Sequence, residues 1–139
     1  MRPLVLALAL SACAPDAPPP DAASSDRLSP APVVLSGTWR LAALDGAPLP
    51  DGTGATATFS GGRLSGVGGC NEYWTGYALD GDRFRLADDV VWHLQACGGA
   101  ADSLEAAFSV RLGLARRVRL DERLVLLDSL GAERLAFGR

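Results

Sequence analysis

The 139-residue chain is 48% hydrophobic and 21% charged, which gives it room for one domain with one modest core. Its 13 arginines, with no lysine, stand against 16 acidic residues for a formal net charge of −3, and the basic residues form no broad run, which argues against a nucleic-acid partner. The apolar run Leu4 to Leu10 is far shorter than the roughly 20 residues that a membrane-spanning helix needs.

Residues 1–12 instead have the shape of an export signal: Arg2, the short apolar stretch "LVLALAL", then small residues. Leu10-Ser11-Ala12-Cys13 resembles a bacterial lipobox, which implies cleavage before Cys13, diacylation of its sulfur and acylation of its amine. A cysteine placed by chance in a secretory signal is the competing reading. Position, small neighbours and the preceding leucine all weigh against it. Each buried methylene adds about 0.8 kcal/mol to membrane attachment, so two or three acyl chains anchor firmly without spanning. In lipoproteins of this type an aspartate after the cysteine favours the inner membrane. Here Ala14 follows, so the expected location is the outer membrane, facing the periplasm.

Residues 13–34 hold the lipidated cysteine and a tether. The stretch is built of Ala, Pro, Asp and Ser with almost nothing to bury, and it includes Pro18-Pro19-Pro20. At about 3.1 Å per residue in polyproline II geometry, such a tether reaches up to about 60 Å from the bilayer.

The folded domain is expected over 35–139. In "SGTWRLAAL" the residues Trp39, Leu41 and Ala43 alternate against Thr38, Arg40 and Ala42, the period of a half-buried strand. "ATATFS" repeats the pattern with Ala55, Ala57 and Phe59, and Gly61-Gly62 predicts a tight hairpin into "RLSGVG". A second hairpin joins Tyr77–Asp80 to "DRFRL" through Asp80-Gly81. "VVWHLQAC" is apolar enough for a strand. In "DSLEAAFSVRLGLA", Leu104, Ala107, Phe108 and Leu112 fall at helical spacing, with Asp102 and Glu105 as the two ends of a capping box. "RRVRL", "RLVLLD" and "ERLAF" then predict a closing meander, with Arg116, Arg117 and Arg119 on a solvated strand edge. The sum is an α+β chain, mainly antiparallel β, with one helix among many short strands.

The stretch "GVGGCNEYWTGY" concentrates the unusual residues. With Cys13 taken by lipid in an oxidising compartment, Cys70 and Cys97 are left to pair. A bridge over that separation contributes roughly 3.5 kcal/mol in the chain-entropy model. Gly68 and Gly69 then let the chain bulge so that Cys70 reaches another strand, and Asn71 suits a turn position with positive φ. Cys70, His93 and Asn71 also supply the residue types of a thiol-nucleophile site, but a bonded cysteine has no free thiolate. His93, Cys97 and Cys70 are one ligand short of a closed zinc site, and "GVGGCN" has neither dinucleotide spacing nor a P-loop lysine, so no metal or cofactor is expected. The carboxylate pairs Asp88-Asp89 and Asp121-Glu122 sit in predicted turns and read as solvated charge. Asn71, Tyr73, Trp74 and Tyr77 remain as a candidate partner- or ligand-binding group. Aromatic residues closing the end of a small β domain explain Tyr73, Trp74 and Tyr77 at least as well.

Gly37-Thr38-Trp39, Gly69-Cys70-Asn71 with Tyr73, Ala96-Cys97, and Glu105 with Phe108 together resemble the META/HslJ family of bacterial envelope proteins, from about Leu35 to Phe137. The resemblance implies a twisted sheet or partly open barrel of about seven or eight short strands with one helix. It also implies export or lipid anchoring, a link to heat-shock response and antibiotic tolerance, and no established enzymatic activity. The family's two cysteines fall on Cys70 and Cys97. One departure stands out: Trp92, His93, Leu94 and Gln95 replace the threonine and methionine usual before the second cysteine, so a function on that face does not carry over. The expected function is that of a non-catalytic, lipid-anchored envelope protein, anchored at Cys13, that binds an envelope protein or cell-wall partner. A periplasmic protease inhibitor or small-ligand carrier is the alternative, and a thiol enzyme comes third.

Overall fold

The computed structural model describes residues 31–87 and 89–139, so the signal segment, Cys13, most of the tether and Asp88 lie outside the described residues. Strand alternation builds most of the domain. β1 (Gly37–Leu44) buries Trp39, Leu41 and Ala43, and β3 (Thr56–Ser60) buries Ala57 and Phe59, as their period requires. β4 (Arg63–Val67) returns along β3 through Gly61-Gly62, both of which take the positive φ that a tight hairpin needs. β5 (Glu72–Asp80) is longer than its sequence pattern predicts and starts five residues earlier, because Tyr73, Thr75 and Tyr77 keep the two-residue period facing the core. β6 (Arg83–Leu86) pairs with it from Asp80↔Arg83, which leaves Gly81 and Asp82 as the loop.

Two further features depart from the sequence pattern. "VVWHLQAC" forms only the two-residue strand β7 (Val91–Trp92), and residues 93–98 are irregular. Helix α1 (Gly99–Leu114) starts three residues before the predicted cap. Gly98, at φ 78°, is the N-cap residue and makes no side-chain cap bond. Asp102 therefore sits inside the first turn, where it accepts from the N–H groups of Cys97 and Gly98, while Glu105 reaches another loop altogether. The capping box does not form.

β8 (Arg117–Leu120), β9 (Leu124–Leu127) and β10 (Glu133–Gly138) make the predicted meander. β10 pairs back onto β1, with Leu41 opposite Phe137, a bulge at Ala42 and Ala43 opposite Ala136. The order β1-β3-β4-β5-β6-β8-β9-β10 thus closes into an eight-stranded antiparallel barrel, with β2 (Ala47–Pro48) and β7 paired beside it on β1 and β5. β8 lies within this ring, bonded on both sides, and is not an edge as its arginines had implied.

Eight strands enclose a space that side chains just fill. Phe59, Leu64, Tyr73, Phe84, Leu124, Leu126, Leu135 and Phe137 all pack into that core at 1% exposure or less. The helix adds Phe108 and Leu112 to the same core, and the Phe108 ring lies 5.3 Å from that of Tyr73 and 6.4 Å from that of Phe137. Burying one such ring contributes roughly 2–3 kcal/mol. Among the described residues, no helix is long and apolar enough to cross a membrane.

Candidate functional site

The glycine-cysteine loop, the irregular segment before α1 and the first turns of α1 come together beside the start of β5. Cys70 and Cys97 are joined by a disulfide, with Cα atoms 5.9 Å apart. Next to it Asn71 is buried, and its side-chain amide behaves like a peptide group: Oδ1 accepts from the Gln95 N–H at 2.9 Å and Nδ2 donates to the Gln95 carbonyl at 2.9 Å. The same Nδ2 donates to Glu105 Oε1 at 2.9 Å. The other carboxylate oxygen, Oε2, accepts from the backbone N–H groups of Asn71 and Cys70, at 2.5 and 3.3 Å. One helix carboxylate and one loop amide therefore hold three segments together. Charge-assisted bonds of this kind are the stronger class of hydrogen bond.

The glycines serve this packing rather than a bulge toward the disulfide. A Cβ on Gly68 would run into the Trp92 indole, and one on Gly69, at φ +141°, would lie 2.8 Å from the Ala101 carbonyl and 3.0 Å from the Glu105 nitrogen. Only glycine backbone lets the loop approach the helix that closely. Asn71 itself does not take the positive φ that its sequence context suggested; Asp45 is the one non-glycine residue described that does.

The four candidate binding residues are not brought to one surface. Asn71 is spent on the loop, while Tyr73 and Tyr77 turn inward and Trp74 turns outward. Tyr73 is 1% exposed and donates to the Thr56 carbonyl at 2.9 Å, and burial pushes its hydroxyl pKa well above the usual tyrosine value. Tyr77 stacks on Phe84 and donates to the Leu35 carbonyl at 3.3 Å, with its own pKa raised by burial. Trp74 meets the His93 ring edge-on at 5.3 Å, and His93 Nδ1 lies 3.4 Å from Glu72 Oε2. His93 thus has Glu72 and Trp74 as its partners, and the nucleophile-and-base pair considered from residue types is not assembled around Cys70. The sulfurs of Cys70 and Cys97 lie within 4.8 Å of an Asp102 oxygen, but they are bonded to each other and offer no thiolate.

Sequence reasoning missed the cleft between α1 and the 92–97 segment. It has a volume of about 500 Å³ and is lined by Trp92, Leu94, Gln95, Glu105 and Ala106 among others, with Leu94 93% exposed at its lip. No local sequence pattern marks it, because its two walls come from the 92–97 segment and from α1.

A family model described as META domain matches residues 32–139. No curated protein matches the chain. Among solved structures, an NMR structure of a protein from Burkholderia xenovorans superposes with a TM-score of 0.62 at 23% identity, covering 86% of this chain and 97% of that one. The crystal structure of a DUF4847 family protein from Bacteroides vulgatus superposes at 0.54 and 18% identity, covering 74% and 92%. At these identities the likeness is one of fold.

Proposed function

The chain belongs to the META domain family, and on that footing we propose that it is a non-catalytic envelope protein, lipid-anchored at Cys13, whose domain works by binding a protein or cell-wall partner. The observation that supports binding over catalysis is the fate of the motif's reactive groups: two sulfurs in a disulfide, and Asn71 and Glu105 bonded to backbone. The lipobox and the tether support attachment outside the cytoplasm, and Ala14 supports the outer membrane. A role in tolerance of heat or antibiotic stress extends the same reading.

Three experiments test it. Mass spectrometry of the mature protein from envelopes is expected to show an acylated N-terminal cysteine, and Cys13→Ser is expected to move the domain into the soluble periplasmic fraction. An unmodified N-terminus would rule out the anchor. Deleting the gene and challenging cells with heat, detergent and novobiocin tests the stress role, and survival equal to wild type would count against it.

Small-ligand carriage is the second reading, favoured by the cleft beside Trp92. The barrel interior is filled with side chains, so a carried ligand would sit in this outer cleft rather than inside the barrel. Titration of tryptophan fluorescence with candidate apolar ligands separates the readings, since a partner-binding domain gives no saturable quench.

A further inference from the structure

β6 and β8 meet at a single register pair, and that pair is Arg83 opposite Arg117. Like charges placed directly across an antiparallel pair repel. The alternation that turns Phe84 and Val118 into the core turns Arg83, Arg85, Arg117 and Arg119 outward. Over this seam lies a cleft of about 520 Å³ lined by Arg83, Arg85, Arg116, Arg117, Asp82 and Ser129. Arg116, Arg117 and Arg119 are neighbours along the chain, but the fold removes Arg119 to Asp121 and Glu133 and brings in Arg83 and Arg85 from the far side of the intervening helix.

Four guanidinium groups thus face one carboxylate in a chain whose net charge is negative. Asp82 is committed to Arg117, whose Nε donates to it at 2.9 Å. Arg116 is held in place by donating to the carbonyls of Gly113 and Ala115 at the end of α1, which fixes its direction without neutralising it. Arg83 and Arg85 have no ion-pair partner among the described residues. Asp89 lies in the adjoining cleft with Arg85 and Arg116, and even with it counted the guanidinium groups outnumber the carboxylates four to two.

We propose that this arginine-walled cleft over the β6–β8 seam binds a phosphate-bearing ligand. A phosphate group has several acceptor oxygens and enough charge to engage more than one planar guanidinium fork, whereas a single carboxylate is satisfied by one. The bound anion sits where it offsets the Arg83–Arg117 repulsion, so binding also tightens the seam. This inference is independent of the anchor and of the identity of any protein partner.

The test uses the full-length Cys13→Ser chain, which cannot be acylated, in phosphate-free buffer at low salt, titrated calorimetrically with inorganic phosphate and, separately, sedimented with phosphatidylglycerol or phosphatidylcholine vesicles. The expected result is saturable phosphate binding that weakens by about tenfold or more in the Arg83→Ser/Arg85→Ser double variant and is unchanged in Arg40→Ser, which lies on β1. Sedimentation with phosphatidylglycerol alone, lost in the same double variant, supports the site with a lipid headgroup as the source. Both replaced residues are exposed, and removing Arg83 is expected to leave the thermal midpoint unchanged or higher. Amide NMR shifts on adding phosphate to the Cys13→Ser chain with its arginines intact give an independent reading and should cluster at residues 82–85 and 116–118. Shifts centred elsewhere, equal binding by the double variant, equal competition by chloride or acetate at matched ionic strength, or no binding to either probe would overturn the proposal.

Discussion

A single side chain, that of Asn71, supplies what a strand would otherwise supply. The segment before α1 is irregular, so the N–H and carbonyl of Gln95 have no ladder neighbour, and the Asn71 amide takes both. Buried polar groups left without partners are costly. Asn71→Ala is therefore expected to destabilise the fold by about 2–4 kcal/mol in urea unfolding, well above the effect of an ordinary surface substitution. Asn71→Asp gives a sharper test, because it keeps the shape and the acceptor but replaces the donor to Glu105 Oε1 and the Gln95 carbonyl with a second carboxylate. Repulsion there raises the folded pKa of the new group above its unfolded value, so the variant is penalised most at neutral pH and regains stability as the pH falls through the carboxylate range. A urea midpoint for Asn71→Asp that does not rise relative to wild type between about pH 7 and pH 4 would mean that the Glu105 contact contributes nothing to stability.

Elements that the chain order leaves apart are joined by two cross-links. The disulfide ties the loop before β5 to the segment before α1, and Cys70→Ala/Cys97→Ala is expected to lose about 3.5 kcal/mol, a fall in thermal midpoint of more than about 10 °C by calorimetry. The second is ionic: Asp45 after β1 bonds to Arg111 of α1 and Arg134 of β10, and Arg134 also bonds to Asp128. The Arg111 guanidinium, then that of Arg134, holds the Asp45 carboxyl below its ordinary value of 3.8; the Ala132 N–H, then Arg134, does the same for Asp128. Both folded values lie below the unfolded ones, so this contribution is complete above the ordinary carboxylate range and disappears as the pH falls through the lower folded values. The thermal midpoint is expected to hold down to about pH 5 and to fall below about pH 4, with a shallower fall in Asp45→Asn/Asp128→Asn. The two cross-links were not equally legible in the sequence. The cysteine pair followed from counting and from family resemblance, the strands β1 and β3 from their two-residue period, and β8 to β10 from short apolar runs separated by turn residues. The ionic link, whose Asp45 lies 66 positions from Arg111 and 89 from Arg134, leaves no local pattern, nor does the Asn71–Glu105 contact over 34 positions, and the helix start escaped because two glycines at positive φ, not a capping side chain, turn the chain into it.

For the whole molecule, the decisive event is closure, which depends on β1 finding β10 at the far end of the chain and on β6 finding β8 across the helix. The ladders are unequal. β4 and β5 pair at five positions, β5 and β6 at four, β8 and β9 at four, and β6 and β8 at one. Two hydrogen bonds flank that one pair, from the Phe84 N–H to the Arg116 carbonyl at 2.9 Å and from the Val118 N–H to the Asp82 carbonyl at 2.8 Å. What keeps the seam shut is mainly the core beneath it, where Phe84 and Val118 are buried. On its outer face Arg117 pairs with Asp82 across the seam, and Arg83, directly opposite Arg117, adds a like charge that acts the other way. Local opening follows the region with the fewest backbone bonds and the least favourable electrostatics, so the barrel should breathe here before anywhere else in the ring. In native-state hydrogen exchange, the Phe84 and Val118 amides are expected to exchange at least about tenfold faster than the bonded amides of the β4–β5 ladder. Adding salt should narrow the gap by screening the arginines, whose separation across the seam is within a Debye length at low ionic strength. Equal protection on both ladders, unmoved by salt, would mean that packing alone sets the stability of the closure and that the Arg83–Arg117 pairing carries no strain.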